Sequence, residues 1–223
     1  MKVKFIKSEE ITKDIRTFWF KPDKPFRYIA GQFIELYLPH KNPDDRGQKR
    51  WFTLSSPPNL GFVSITTKIT LNRSSFKSTL AVLKKGDIVE MSQPMGDFIL
   101  PKDKTIRIIF VAGGIGCTPY ASILSDLQNK GENRIIKLFY AVNSHSEIAF
   151  KDTFKKLGQG FNRFVKKPLT VAKVLEKVVS PQKTYFYISG PEPMVEQFQK
   201  DFLDKGILKN RIYTDFFPGY KSF

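Results

Sequence analysis

The sequence predicts two domains in series: an antiparallel β-barrel over residues 1–101, then a Rossmann-like parallel α/β sheet over 105–223. Three observations carry this. The first hundred residues hold short runs in which apolar and polar side chains alternate, the period of half-buried strands. Beyond residue 105, short apolar runs alternate with helical spacing, the pattern of a parallel sheet covered by helices. Between them lies Pro101-Lys-Asp-Lys-Thr105, a polar, proline-marked break suited to a domain boundary.

In the first half, Lys2–Ile6, Asp14–Lys21 and Gln32–Leu38 read as strands, separated by the turn residues Pro22-Asp23, Pro25 and Gly31. Trp51–Leu54, Phe62–Ile69 and Asp87–Met91 continue the pattern. Ser74–Lys84 breaks it, because Phe76, Leu80 and Leu83 recur at helical spacing. Six strands and one helix suit a small antiparallel barrel with one mouth left for a ligand.

In the second half the order is Ile106–Val111, Tyr120–Gln128, Ile135–Ala141, Ile148–Leu157, Phe161–Val165, Leu169–Val179, Thr184–Ser189 and Pro193–Asp204, strand and helix in turn. A last strand begins near Ile212. Ligands of such sheets bind beyond the carboxyl ends of the strands. The segments at those ends are Ala112–Gly116, Val142–Ser146 and Ser189-Gly190-Pro191. Val111-Ala-Gly-Gly-Ile-Gly-Cys-Thr-Pro119 is a glycine turn between strand and helix, with Pro119 near the first helical turn. Such a turn lets backbone N–H groups face a pyrophosphate with no Cβ in the way.

Composition narrows the function. With 41% hydrophobic and 26% charged residues the 223-residue chain is an ordinary globular one. No apolar run approaches the ~20 residues of a membrane span, and the charged start Met-Lys-Val-Lys leaves no room for a signal-peptide core, so a cytoplasmic location is expected. One cysteine, Cys117, and two distant histidines, His40 and His145, give no metal-site spacing. The net charge of +16 is even: 19 basic and 11 acidic residues in 1–105, 18 and 10 in 106–223. An even field without a basic arm argues against nucleic acid and favours anionic cofactors, an acidic protein partner or an anionic membrane surface.

The sharpest local sequence is Arg50-Trp51-Phe52-Thr53-Leu54-Ser55-Ser56. On a strand, Arg50 and Phe52 share one face and Thr53 takes the other. An Arg fork suits a pyrophosphate and an aromatic ring suits stacking on a flat ligand. This Arg-x-aromatic-Ser/Thr-x-x-Ser segment resembles the flavin signature of the ferredoxin–NADP(+) reductase family. Gly113–Pro119 is similar to that family's nicotinamide-cofactor turn. Ile188-Ser-Gly-Pro-Glu-Pro-Met194 is similar to its Cys/Ser-Gly-Pro-x-x-Met turn, with Ser189 where the plant-type branch has cysteine. Gly31-Gln32-Phe33, Thr67-Lys68-Ile69, Ser74–Leu80, Gly86-Asp87 and Pro94–Phe98 follow in the family's order, so the resemblance covers nearly the whole chain.

The resemblance implies FAD in the barrel and NAD(P)H on the second domain. It assigns Trp51, Phe52, Thr53, Thr67, Lys68, Ile69, Phe216 and Phe217 to the flavin, with Thr53 near the ring's N5. Arg50, Ser56, Ser75, Lys77 and Ser78 fall to its ribityl-pyrophosphate region, and Ser55, Ser74 and Phe76 to the flavin site at large. Gly113, Gly114, Ile115, Gly116, Thr118, Pro119, Asn143, Ser189, Gly190, Pro191 and Met194 fall to the pyridine nucleotide. Thr53, Ser189, Asp215 and Phe217 are the implied catalytic set, Phe217 yielding its place to the nicotinamide and Phe216 being its alternative. The tail beyond Asp215, with Tyr220 and Phe223, offers a cover for the flavin. Asn143 stands where relatives often carry Arg, and no acidic residue at that strand end holds a ribose diol. Lys151–Lys177, with eight basic and two acidic residues, suits a 2′-phosphate, so NADPH is expected over NADH. No iron–sulfur ligands occur, so electrons are expected to leave for a separate acceptor, an acidic ferredoxin or flavodoxin. A redox-sensing or electron-transfer subunit of a larger complex is the alternative.

Overall fold

The computed structural model describes residues 1–217. Among these, six strands form the N-terminal sheet: β1 (Lys2–Thr12), β2 (Ile15–Pro22), β3 (Phe33–Tyr37), β4 (Lys49–Thr53), β5 (Val63–Lys68) and β6 (Ile88–Met91). Their order is β4-β3-β6-β1-β2-β5, every pair antiparallel. The edges meet where Leu54, just past β4, bridges Ile65 of β5, and the Ser55 N–H donates to the Ser64 carbonyl at 2.8 Å. Closure removes the exposed edges that an open sheet would leave. Alternate residues Val3, Phe5, Phe18, Phe20, Ile34 and Leu36 fill the interior. Helix α1 (Ser75–Ala81) buries Phe76 and Leu80 against them, and the Ser74 side chain caps it by accepting from the Lys77 N–H.

The second sheet is parallel throughout. β7 (Arg107–Gly113), β8 (Ile136–Val142), β9 (Phe161–Val165), β10 (Thr184–Pro191) and β11 (Ile212–Phe217) lie in the order β11-β10-β7-β8-β9. Helices α2 (Thr118–Asn129), α3 (Lys151–Lys155), α4 (Val171–Leu175) and α5 (Glu192–Asp204) cover it. The chain runs outward from β7 through β8 to β9, then returns to the other side of β7 as β10. The switch point therefore lies between the carboxyl ends of β7 and β10, where ligands of such sheets bind.

The core on the α2 face is shared between the halves: Ile15, Ala30 and Phe98 pack with Phe110, Tyr120 and Tyr187. The Phe98 ring lies 5.1 Å from that of Tyr187, edge on, and 5.9 Å from that of Tyr120. Tyr187 donates its hydroxyl hydrogen to the Ile99 carbonyl (2.7 Å), and Ser122 donates to the Ser56 carbonyl (2.6 Å). Gly31 sits at φ +102, and a Cβ there would come within 2.0 Å of the Phe98 carbonyl oxygen. The seam tolerates only glycine at that point.

Several elements differ in length from the sequence expectation, β1, α3 and α4 the most, and the helix expected over 74–84 ends at Ala81. β1 continues past Ile6 to Thr12, with irregularities between Phe5 and Lys7 and between Glu10 and Thr12. Pairing with β2 carries it there although its charges do not alternate with apolar residues. The helix expected over 148–157 is confined to α3, because Phe150 at φ 52 turns the chain just before it. The helix expected over 169–179 is confined to α4, which Thr170 caps by accepting from the Lys173 N–H, leaving Leu169 outside.

Candidate active site

Three strand ends bring three polar side chains together. Ser189 of β10 and Asp215 of β11 are register partners, so they share one face of the sheet. Thr53 ends β4 and faces them across the seam. Thr53 Oγ1 donates to Asp215 Oδ2 at 3.0 Å, and Ser189 Oγ donates to the same oxygen at 3.3 Å. Burial pushes the Asp215 carboxyl up to about 6, against the lowering effect of the two hydroxyl donors. A carboxyl titrating near neutrality in contact with two hydroxyls can take up or release a proton at working pH.

Two cavities open on either side of Trp51, Phe52 and Thr53. One, of about 270 Å3, is lined by those residues with Arg46, Lys49, Arg50, Thr66, Thr67, Lys77, Ile115 and Thr118 among others. The other, of about 220 Å3, adds Phe33, Thr214, Asp215 and Phe216. Trp51 is 61% exposed and Phe216 48%, large apolar surfaces left open at the mouth. The Trp51 and Phe33 rings lie 6.2 Å apart. Phe52 is buried in the barrel core against Phe76, their rings 5.9 Å apart. Aromatic walls, the Thr53 hydroxyl and a cationic end fit a planar ring system with an anionic tail.

At the cationic end, Arg50 lies over the Phe76 ring at 5.2 Å, on the Phe52 face as the strand alternation predicts. Its guanidinium pairs with Asp44 at 2.9 Å and donates to the carbonyls of Arg46, Gly47 and Lys49. Asp44 also accepts from the amide and the hydroxyl of Ser75. Although burial opposes it, these Ser75 donors, the Arg46 amide and Arg50 hold the Asp44 carboxyl below its ordinary value. Asp44 was not legible in the sequence: it lies in the irregular 38–48 segment, where no periodicity marks it.

The glycine turn is buried throughout, Gly113 to Cys117, and its last four residues form a single 3-10 turn. A Cβ on Gly116 would meet the Ser189 carbonyl oxygen at 2.2 Å. This glycine lets the turn lie directly on the Ser189-Gly190 segment at the switch point. Ile115 and Thr118 reach past it into the first cavity, on the barrel side. Cys117 is fully buried. Burial pushes its thiol up to about 12, and the Tyr140 hydroxyl donates to its Sγ at 3.3 Å.

The other residues singled out from the sequence fall into two groups. Thr67 and Lys77 line the first cavity with Trp51, Phe52 and Thr53. Ser55 and Ser56 close the barrel instead: Ser55 bonds Ser64 and Thr66, and Ser56 bonds Tyr28 and the Ser64 N–H. Ser74 caps α1, with the Ser78 N–H donating to its carbonyl, and Phe76 and Ile69 are core. Lys68 reaches across the seam to Glu147 at 3.5 Å. On the nucleotide side, Pro119 opens α2, Asn143 is exposed at the end of β8, and Met194 packs at the base of α5 near Gly190 and Pro191. The Phe217 side chain, Tyr220 and Phe223 lie outside the described residues. Phe33, Thr66 and Phe216 complete the cavities; of these the sequence had marked only Phe216 for the flavin.

Comparison with known proteins agrees with the two-domain fold. Residues 2–99 match the oxidoreductase FAD-binding domain, and residues 110–200 match the oxidoreductase NAD-binding domain. Flavohemoprotein B of Dictyostelium discoideum is 27% identical over 94% of this chain. The reductase component DmpP of phenol 2-monooxygenase from Pseudomonas sp. (strain CF600) is 27% identical over 92%. The chain spans only 57% and 63% of those two proteins' lengths. A crystal structure of a ferredoxin NADP+ reductase from Neisseria gonorrhoeae with bound FAD and NADP superposes with a TM-score of 0.77 at 19% identity. It covers 96% of this chain and 97% of that one. With an FAD-binding domain over 2–99 and an NAD-binding domain over 110–200, the chain belongs to the FAD- and NAD-binding oxidoreductases and has the two-domain fold of the ferredoxin–NADP(+) reductases.

Proposed function

We propose that this chain takes hydride from NADPH onto FAD and passes the electrons singly to a separate, acidic carrier such as a ferredoxin or flavodoxin. The observation that carries the reading is the convergence of Thr53, Ser189 and Asp215 at the junction of the two cavities. FAD, when bound, supplies the exchange between two-electron and one-electron chemistry. The protein's own work is positional. Trp51, Phe52 and Phe216 wall a ring-shaped slot, and Thr53 fixes one polar point on its edge. Arg50, Ser75 and Lys77 stand at the end suited to the anionic tail. Asp215 Oδ2 holds or releases a proton through Thr53 Oγ1, whose side chain borders both cavities. The switch point at Gly113–Gly116 and Ser189–Pro191 holds the pyridine nucleotide against that edge and limits water there.

The preference for NADPH is supported by charge at the sheet's outer end. The Lys166 N–H donates to the Val142 carbonyl at 3.1 Å, which sets Lys166 and Lys167 beside the end of β8 and Asn143. The acidic carrier is supported by the net charge of +16 and by the exposed Trp51 and Phe216 at the cavity mouth.

An absorption spectrum tests the whole reading. The purified chain is expected to show a flavin spectrum, bleached within seconds by anaerobic NADPH and more slowly by NADH. A colourless protein that takes up no added FAD overturns it. A flavin that stays oxidised under NADPH favours a relay or sensor subunit instead.

A further inference from the structure

Arg50, at the cationic end of the first cavity, is already engaged by a side chain of this protein, which ties it to Ser75 behind the cavity wall. Asp44 Oδ1 accepts from Arg50 Nη2 at 2.9 Å. Asp44 Oδ2 accepts from the Ser75 amide at 2.9 Å and the Ser75 hydroxyl at 3.0 Å. The Ser75 hydroxyl oxygen also lies 2.9 Å from the Asp44 amide and 3.0 Å from His40 Nε2. One carboxylate thus gathers a guanidinium, an amide and a hydroxyl, the mixed set that a phosphate's oxygens also use. Arg50 does not need Asp44 to be held in place. Its other terminal nitrogen donates to three backbone carbonyls, Arg46, Gly47 and Lys49.

We propose that Asp44 is an internal stand-in for the flavin phosphate, seated on Arg50 and Ser75, and that it sets how much the phosphate end contributes to flavin binding. This rests on the flavin reading of the cavity. A phosphate arriving at Arg50 either takes these donors from Asp44 or binds beside a like charge. In both cases its gain is the difference between two anions competing for one donor set, not the full value of a charge-assisted bond. The ring end, at Trp51, Phe52 and Phe216, is untouched by that competition. The wild-type chain therefore selects flavins by their ring and discriminates little between tails. Removing the carboxylate restores selection for phosphate.

The test is flavin affinity of the flavin-depleted full chain, read by fluorescence quenching with riboflavin, FMN and FAD. Wild-type dissociation constants for the three are expected to lie within about tenfold of one another. Asp44→Ala is expected to lower those for FMN and FAD by about tenfold or more while that for riboflavin stays within about twofold. Asp44→Asn, which keeps an acceptor oxygen for Ser75 and removes only the charge, is expected to move in the same direction. Riboflavin is the control for folding: if Asp44→Ala loses it, the Asp44→Asn ratio decides. A riboflavin-to-FAD ratio unchanged or reduced in the deciding variant overturns the proposal while leaving the flavin reading intact. Failure of wild-type protein to bind any of the three overturns both.

Discussion

Asp215 carries a cost that its neighbours only partly offset. Its carboxyl sits near pH 6 in the folded chain, against an ordinary value near 4, so the folded state binds the proton more tightly than the unfolded state. The penalty is absent below about pH 4, grows as pH rises through the window to about 6, and is constant above it. Asp215→Asn keeps an oxygen to accept from Thr53 and Ser189 but has no charge to desolvate. It is expected to be more stable than wild type by about 1–3 kcal/mol at pH 7.5 and equal to it at pH 4. Thermal melts at the two values check this. The same variant is expected to lose the pH dependence of steady-state turnover near 6. A variant no more stable at pH 7.5 than at pH 4 would place the charge in better solvated surroundings than this structure shows.

The strands and the glycine turn were legible in the sequence because side-chain alternation and turn residues are local signals. β2 (Ile15–Pro22), β4 (Lys49–Thr53) and β10 (Thr184–Pro191) begin within a few residues of where alternation placed them. The short helices α3 and α4 were overextended, because apolar spacing continues through Ile148-Ala-Phe150 and Leu169 although the backbone turns there. Family order identified Thr53, Ser189 and Asp215, which no local pattern could have joined across 162 residues. Asp44 escaped both routes, since a loop carboxylate has neither a period nor a motif. The element that depends most on one residue is the turn from β7 into α2. Gly116→Ala pushes a methyl into the Ser189 carbonyl, a backbone atom that cannot swing aside. It is expected to destabilise by about 1–3 kcal/mol and to slow reduction by NADPH more than it weakens flavin retention. Stopped-flow bleaching together with flavin release measures both.

At the scale of the molecule, the halves share a core and a field. Because Ala30 and Phe98 are packed with Tyr120 and Tyr187, melting is expected as one transition, with flavin release and loss of secondary structure coincident. The positive field acts at longer range. Raising salt from about 0.05 to 0.5 M is expected to slow electron delivery to an acidic carrier by tenfold or more, since the Debye length shrinks below the reach of the surface charges. Bleaching by NADPH is expected to change less than threefold over the same range. Equal slowing of the two steps would count against an acidic acceptor.

The buried thiol of Cys117 has a consequence for durability. Reduced flavoproteins leak electrons to oxygen, and peroxide attacks thiolates rather than thiols. With its thiol pushed up to about 12 and no solvent-exposed sulfur atom, Cys117 is shielded from that chemistry as long as the fold stays closed. It is also the chain's single sulfhydryl. Its reaction with a chromogenic thiol reagent should therefore track global opening alone, turning one inert side chain into a clock for the lifetime of the native state.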